Sequence, residues 1–190
     1  MSVVVHEVSH GWAAHYLGDP TAKLQGRLTL NPLPHLDPLG SILIPLILSV
    51  LPGSLMFGWA RPVPVNPYNL QGKHGEALVA AAGPLSNISI AIIFGLLIRF
   101  AGAMMPPSFL HITITVVIIN IVLAVFNLVP IPPLDGSKVL FSLLPPHLRN
   151  VRESLERYGF FIVLFFIVFL WEYLTPIIGR MFSLITGISF

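Results

Sequence analysis

The sequence predicts an all-α polytopic membrane protein with about four membrane-spanning helices, a re-entrant segment and short β-strands near a candidate metal site. Composition is the first observation behind this. Of 190 residues, 55% are hydrophobic and 9% charged, and mean hydropathy is +0.84, whereas soluble domains carry roughly a quarter charged residues. The second is a series of five apolar stretches separated by proline- and glycine-rich connections. The third is a polar pentapeptide, His6-Glu7-Val8-Ser9-His10, set inside the first stretch. Three buried polar side chains are costly there unless something pairs with them. A net charge of +2 is too small to indicate a nucleic-acid partner, and the scattered Lys and Arg read as topology signals. The absence of cysteine excludes disulfides and any Cys-type metal site.

The first stretch, Met1–Leu17, is closed by Gly18-Asp19-Pro20, a strong helix stop. It would reach roughly 25 Å, slightly under a full span, so the natural chain is expected to start further upstream with a longer first helix. No basic n-region or small-residue cleavage site marks a signal peptide. The second stretch, Gly40–Phe57, is interrupted by Pro45 and Pro52-Gly53 and is marginal as a span. Glu76–Ala101, Phe109–Asn127 and Tyr158–Phe182, with a tail to Phe190, are long enough to cross. No repeat, low-complexity linker or soluble accessory domain appears, so residues 1–190 read as a single integral-membrane domain. Lys23 to Leu30 alternates partly between polar and apolar and reads as a short strand. Trp59-Ala60-Arg61-Pro62-Val63-Pro64-Val65 reads as another. Its prolines remove N–H groups along one edge and leave those of Arg61, Val63 and Val65 free on the other. A proline-rich loop is the plain alternative; the functional reading is a one-sided edge strand that holds a partner peptide extended.

On a helix, HExxH sets two imidazoles one turn apart on the same face, with a glutamate placed to take a proton from a metal-activated water. His6 and His10 supply two ligands, and a catalytic zinc usually takes three from the protein. Asp135 is the candidate for the third. It follows a break made by Pro130, Pro132 and Pro133 and precedes Gly136. These prolines end the fourth helix and leave its last carbonyls without helical donors, which suits a ligand on a turn inside protein. Asp-Gly is also a common surface turn, and the residues alone leave both open.

His6–His10, Ala82-Gly83-Pro84-Leu85-Ser86-Asn87 and the run from Asn127 to Gly136 resemble, in order and spacing, three signatures of the site-2 protease family of intramembrane zinc metalloproteases. The resemblance covers nearly the whole chain. Phe57 to Pro67 and Asn31-Pro32-Leu33-Pro34 resemble a compact prokaryotic branch without a PDZ or CBS domain. The resemblance implies that His6, His10 and Asp135 bind one Zn2+, that Glu7 is the general base, and that Asn127 stabilises the oxyanion. It places Asn87 near the site and implies membrane-protein substrates with a transmembrane segment, or signal-peptide remnants, cut in a prokaryotic plasma membrane. Arg61, Val63 and Val65 are the expected substrate-binding positions. The family usually has more helix before its HExxH, and often a second glycine where this chain has Ser137. A proteolytically silent membrane-binding homologue and a metal or ion transporter are the competing readings.

Asn87 and Asn120 also fit hydrogen-bonded packing between helices, the reading favoured for Asn120. His15 reads as interfacial, and His35, His74, His111 and His147 as solvated. Glu172 is expected near an interface beside Trp171 and Tyr173, and Gly83-Pro84 to permit close helix contact. If the Leu17 end of the first helix and the Asn127 end of the fourth stretch share a face, one intervening stretch must fail to cross. Gly40–Phe57 is the weakest. With it re-entrant, all but Arg99 and Arg180 of the ten Lys and Arg share one face, which puts the metal site nearer the cytoplasm.

Overall fold

The computed structural model describes residues 1–50, 58–144 and 149–190, with side chains from 151 onward in the last of these. Helix α1 (Ser2–Tyr16) ends where Gly18 takes φ 101°, a left-handed conformation open to glycine at little cost. Short α2 (Thr21–Leu24) follows, then a π-turn over Pro38–Leu43 that runs into α3 (Ile44–Val50). The long helices are α4 (Gly75–Ala101) and α5 (Pro107–Asn127). After a proline-rich turn come α6 (Asp135–Leu143), α7 (Arg149–Phe169) and α8 (Thr175–Thr186).

Helix α4 is the hub, in contact with α1, α5, α6 and α8. Its C-terminal half joins an apolar core built from Ala91, Ile98, Val117, Ile121, Phe166, Ile178 and Phe182. There Gly95 brings α8 against the α4 backbone, since a Cβ at this position would overlap Ile185. Its N-terminal half faces α1 through Gly83. At its N-terminal end, Arg152 of α7 pairs with Glu76 of α4 at 3.1 Å and lies over the Phe141 ring of α6.

Among the described residues two helices are long and apolar enough to span, Gly75–Met104 and Pro107–Asn127, or three if the bent pair Val151–Phe169 and Trp171–Thr186 is one span, where about four were expected. Two expectations need correction. The expected span Tyr158–Phe182 is broken: α7 gives way to a 3-10 turn at Trp171–Tyr173, and the two helical arms meet at 67°. Pro176 in the first turn of α8 has no N–H to extend a helix from before the turn. No strand occurs among the described residues. Lys23 lies in α2, and Gly26 turns the chain with φ 64°, so the predicted strand to Leu30 does not form. In the other predicted strand, the Trp59 N–H bonds to Gly40 O and the Arg61 N–H to His35 O. Pro62 and Pro64 interrupt the donors a regular ladder needs, and these N–H groups find single acceptors on different segments instead.

The tip of the predicted re-entrant stretch, residues 51–57, lies outside the described residues. Its two ends meet. Trp59 N–H donates to Gly40 O at 3.1 Å, Ser41 Oγ donates to Trp59 O at 2.8 Å, and Gly40 packs so tightly on the Trp59 indole that a Cβ there would overlap it.

Candidate metal centre

Helical spacing puts His6 and His10 on the buried face of α1, where Gly83 of α4 leaves room for both rings. A Cβ at Gly83 would stand 2.6 Å from His6 Nε2 and overlap His10 Nε2. The Gly83-Pro84 reading as a point of close helix contact is thus borne out, and what comes close is the pair of imidazoles. Asp135 arrives from the other side as the first residue of α6. The turn before it folds back on itself: Ile131 N–H donates to Val129 O, and Leu134 N–H to Ile131 O. Gly136 packs against Leu128 O and Val129 O, space that no Cβ could share. Gly159 of α7 lets that helix abut the turn, since a Cβ there would be 2.5 Å from Pro132 O.

These elements bring three atoms together. His6 Nε2, His10 Nε2 and Asp135 Oδ2 lie 3.0, 3.1 and 3.2 Å from one another, and all three residues are buried. Around a tetrahedral zinc with bonds of about 2.0–2.1 Å, ligand atoms are roughly 3.3 Å apart. The hydrogen bonds on the far side of each ring decide the chemistry. His6 Nδ1 is 2.6 Å from Asn87 Oδ1, and His10 Nδ1 is 2.7 Å from Val79 O. Both partners are acceptors, so each Nδ1 carries the proton and each Nε2 presents a lone pair. Two lone pairs and a carboxylate oxygen converge on one buried point, which is unfavourable unless a cation lies between them. The residues present fit a metal ion, and no other group of His, Asp and Glu among the described residues does.

Glu7, half-buried on the adjoining face of α1, accepts the Val63 N–H on Oε2 at 2.8 Å. Val63 is buried over Gly11 of α1. The expected row of free N–H groups is therefore corrected: those of Arg61 and Val63 are already engaged, by His35 O and Glu7. The carbonyls on the same strap are held by Arg27, whose Nη2 donates to Arg61 O at 2.8 Å and Pro62 O at 3.3 Å. The side chain of Arg61 is exposed and Val65 half-buried. Asn127 donates its amide to Leu123 O, one turn back, at 2.9 Å, and makes no hydrogen bond to the cluster.

Two residues escaped the sequence reading. Arg27, counted there as a topology charge, is buried and fastens the strap; no local pattern separates it from a solvated arginine. His35, expected to be solvated, is 1% exposed because its Nε2–H bonds to Thr29 O at 2.9 Å and the strap docks on its carbonyl. His74 and His111 are exposed, as is Glu172 in the turn beside Trp171 and Tyr173, His15 faces Lys23 near the end of α1, and His147 lies outside the described residues. Asp19, read only as part of a helix stop, ties the end of α1 to the strap's exit by accepting from Asn66 N–H at 2.7 Å and Asn69 Nδ2 at 2.9 Å.

Comparison with known proteins points the same way as this geometry. A model of peptidase family M50 matches residues 98–170, the part that carries Asp135. The "Putative zinc metalloprotease YwhC" of Bacillus subtilis is 40% identical over 188 residues, covering 93% of this chain and 78% of that protein. A protein of Mycolicibacterium smegmatis similarly named, Rip2, is 29% identical over 96% of this chain and 67% of its own length. Rip2 of Mycobacterium tuberculosis is 30% identical over 78% of this chain and 55% of its own length. No solved structure matches.

Proposed function

Because the chain belongs to peptidase family M50, the site-2 protease family, we propose that it is a zinc-dependent endopeptidase of the membrane that hydrolyses peptide bonds within or near transmembrane segments. The observation that carries this reading is the convergence of His6 Nε2, His10 Nε2 and Asp135 Oδ2, with both Nδ1 protons committed elsewhere. A zinc ion held by these three atoms would supply Lewis acidity, making a water acidic and polarising a peptide carbonyl.

The chain's own residues do the rest. Glu7, next to His6 on α1, takes the proton of the attacking water and returns it to the leaving nitrogen. Its Oε2 is held by the Val63 N–H, which leaves Oε1 to carry the proton. Asn127 would serve as oxyanion donor through its second amide hydrogen, the first being bound to Leu123 O. The strap from Arg61 to Val65 lies alongside the base and is the surface on which an unwound substrate would be held. Since its Arg61 and Val63 N–H groups are occupied, substrate pairing there uses the Val65 N–H or displaces the Val63–Glu7 bond. The meeting of Gly40 with Trp59 supports the re-entrant reading of Gly40–Phe57, and with it a site nearer the cytoplasmic face.

The test uses the purified full chain in detergent: zinc stoichiometry, then cleavage of a model single-span substrate. One zinc per chain is expected, with cleavage abolished by a chelator and restored by zinc. Glu7→Gln should retain the metal and lose at least about 100-fold in rate. Zinc bound without cleavage would point to a silent membrane module, and metal flux into proteoliposomes surviving Glu7→Gln to a transporter.

A further inference from the structure

We propose that Asn120, on α5, is a positioning residue of the metal centre: through Asn87 it fixes which ring nitrogen of His6 carries the proton, and so keeps the Nε2 lone pair turned toward His10 and Asp135. The inference rests on the zinc reading and adds a residue that touches neither the ligands nor the base. Asn87 and Asn120 are both fully buried. Asn120 Oδ1 accepts from Asn87 Nδ2 at 2.8 Å. The two hydrogens of Asn120 Nδ2 go to Ser2 Oγ at 2.9 Å and Val116 O at 2.8 Å. Asn87 gives its other amide hydrogen to Ser2 O at 3.4 Å and accepts the His6 Nδ1–H on Oδ1.

Every donor in this chain faces an acceptor, and one orientation of the two amides achieves that. Reversing Asn120 would turn its Oδ1 toward Val116 O and set two NH2 groups against each other. Asn87 could relieve this only by reversing as well, which would take the acceptor away from His6 Nδ1–H. His6 would then be better served by a proton on Nε2, where the metal needs a lone pair. Two hydrogen bonds therefore connect residue 120 to the electronic state of a ligand, across three helices. An asparagine that merely joined α4 to α5 would affect stability and leave metal affinity unchanged.

A double-mutant cycle on zinc affinity separates the two. Zinc Kd is measured on the full chain by competition with a chromophoric chelator, for the unmodified protein, Asn120→Leu, Asn87→Leu and the double variant. Asn120→Leu should weaken zinc about 10-fold and Asn87→Leu about 10- to 100-fold, with the double variant no weaker than Asn87→Leu alone. Asn120→Asp, whose protonated carboxyl keeps the acceptor and one donor at the same shape, should stay within about threefold of the unmodified protein. Unchanged affinity in Asn120→Leu, or losses that multiply in the double variant, would overturn the relay. Should the leucine variants fail to fold, the His6 Nδ1–H proton resonance decides: it must be present in the zinc-loaded unmodified protein and in Asn120→Asp, and its absence from the unmodified protein overturns the proposal. An unmodified protein that takes up no zinc overturns the metal reading itself, a separate outcome.

Discussion

Helix α4 uses the same device twice, with different results. At Gly83 and at Gly95 a missing Cβ lets a neighbouring helix approach the backbone. At Gly95 the visitor is the side chain of Ile185, within a core of aliphatic and aromatic groups. At Gly83 the visitors are two imidazole nitrogens, each with its ring fixed by a hydrogen bond from behind. Apolar packing has no direction, so the Gly95 contact can absorb a small misfit by sliding or changing rotamer. The Gly83 contact sets lone pairs that converge on one point, an arrangement that a shift of about 1 Å would undo. Close approach yields apolar packing in one half of the helix and a polar cluster in the other.

Substitutions at the two glycines should break that symmetry. Gly83→Ala carries the largest expected effect, because its Cβ would fill the space both Nε2 atoms face. Zinc affinity measured by chelator competition should fall more than about 100-fold, beyond the cost of losing an outer-shell partner. Retained affinity would mean that the rings can withdraw together without loss. Gly95→Ala should do the reverse: a loss of about 1–3 kcal/mol from overpacking, read as a lower thermal midpoint in detergent, with zinc stoichiometry unchanged.

A smaller effect concerns the polar anchor at the site end. Burial alone would raise the carboxyl of Asp19, but hydrogen bonds from Thr21, Asn69 and Asn66 outweigh it and hold the group below the usual Asp range. A carboxyl lowered in the folded state contributes stability that is fully present above its unfolded value, about 3.9, and fades as pH falls through the folded one. The midpoint difference between the unmodified protein and Asp19→Asn should therefore be clear at pH 7 and shrink below about pH 4. A difference independent of pH would show that the charge of Asp19 contributes nothing.

Two members of the candidate cluster were legible because they are local: His6 and His10 are separated by one helical turn. The proline break before Asp135 left that residue open between a ligand and a surface turn, and the resemblance to the site-2 protease family is what pointed to it. Glycine followed by proline at Gly83 was legible as a contact because that signal, too, is local. The strap was half legible: the prolines ruled out a ladder, but whether its remaining N–H groups were free depended on Glu7 and His35, distant in sequence. Arg27 and His35 were misread for a related cause. A residue type carries no mark of what packs over it, and burial of a cation or an imidazole is decided by long-range contacts. The bend at Trp171–Tyr173 was hidden because a continuous apolar run reads alike whether straight or folded.

The clasp between Gly40 and Trp59 has an engineering consequence. Gly40 O and Ser41 Oγ both bond the Trp59 backbone, and Trp59 lies four residues before Val63, which holds Glu7. A side chain added at Gly40 would meet the Trp59 indole head-on, so a change at residue 40 is passed along a short stretch of strap to the glutamate. Position 40 is therefore a handle on that carboxylate from outside the histidine cluster.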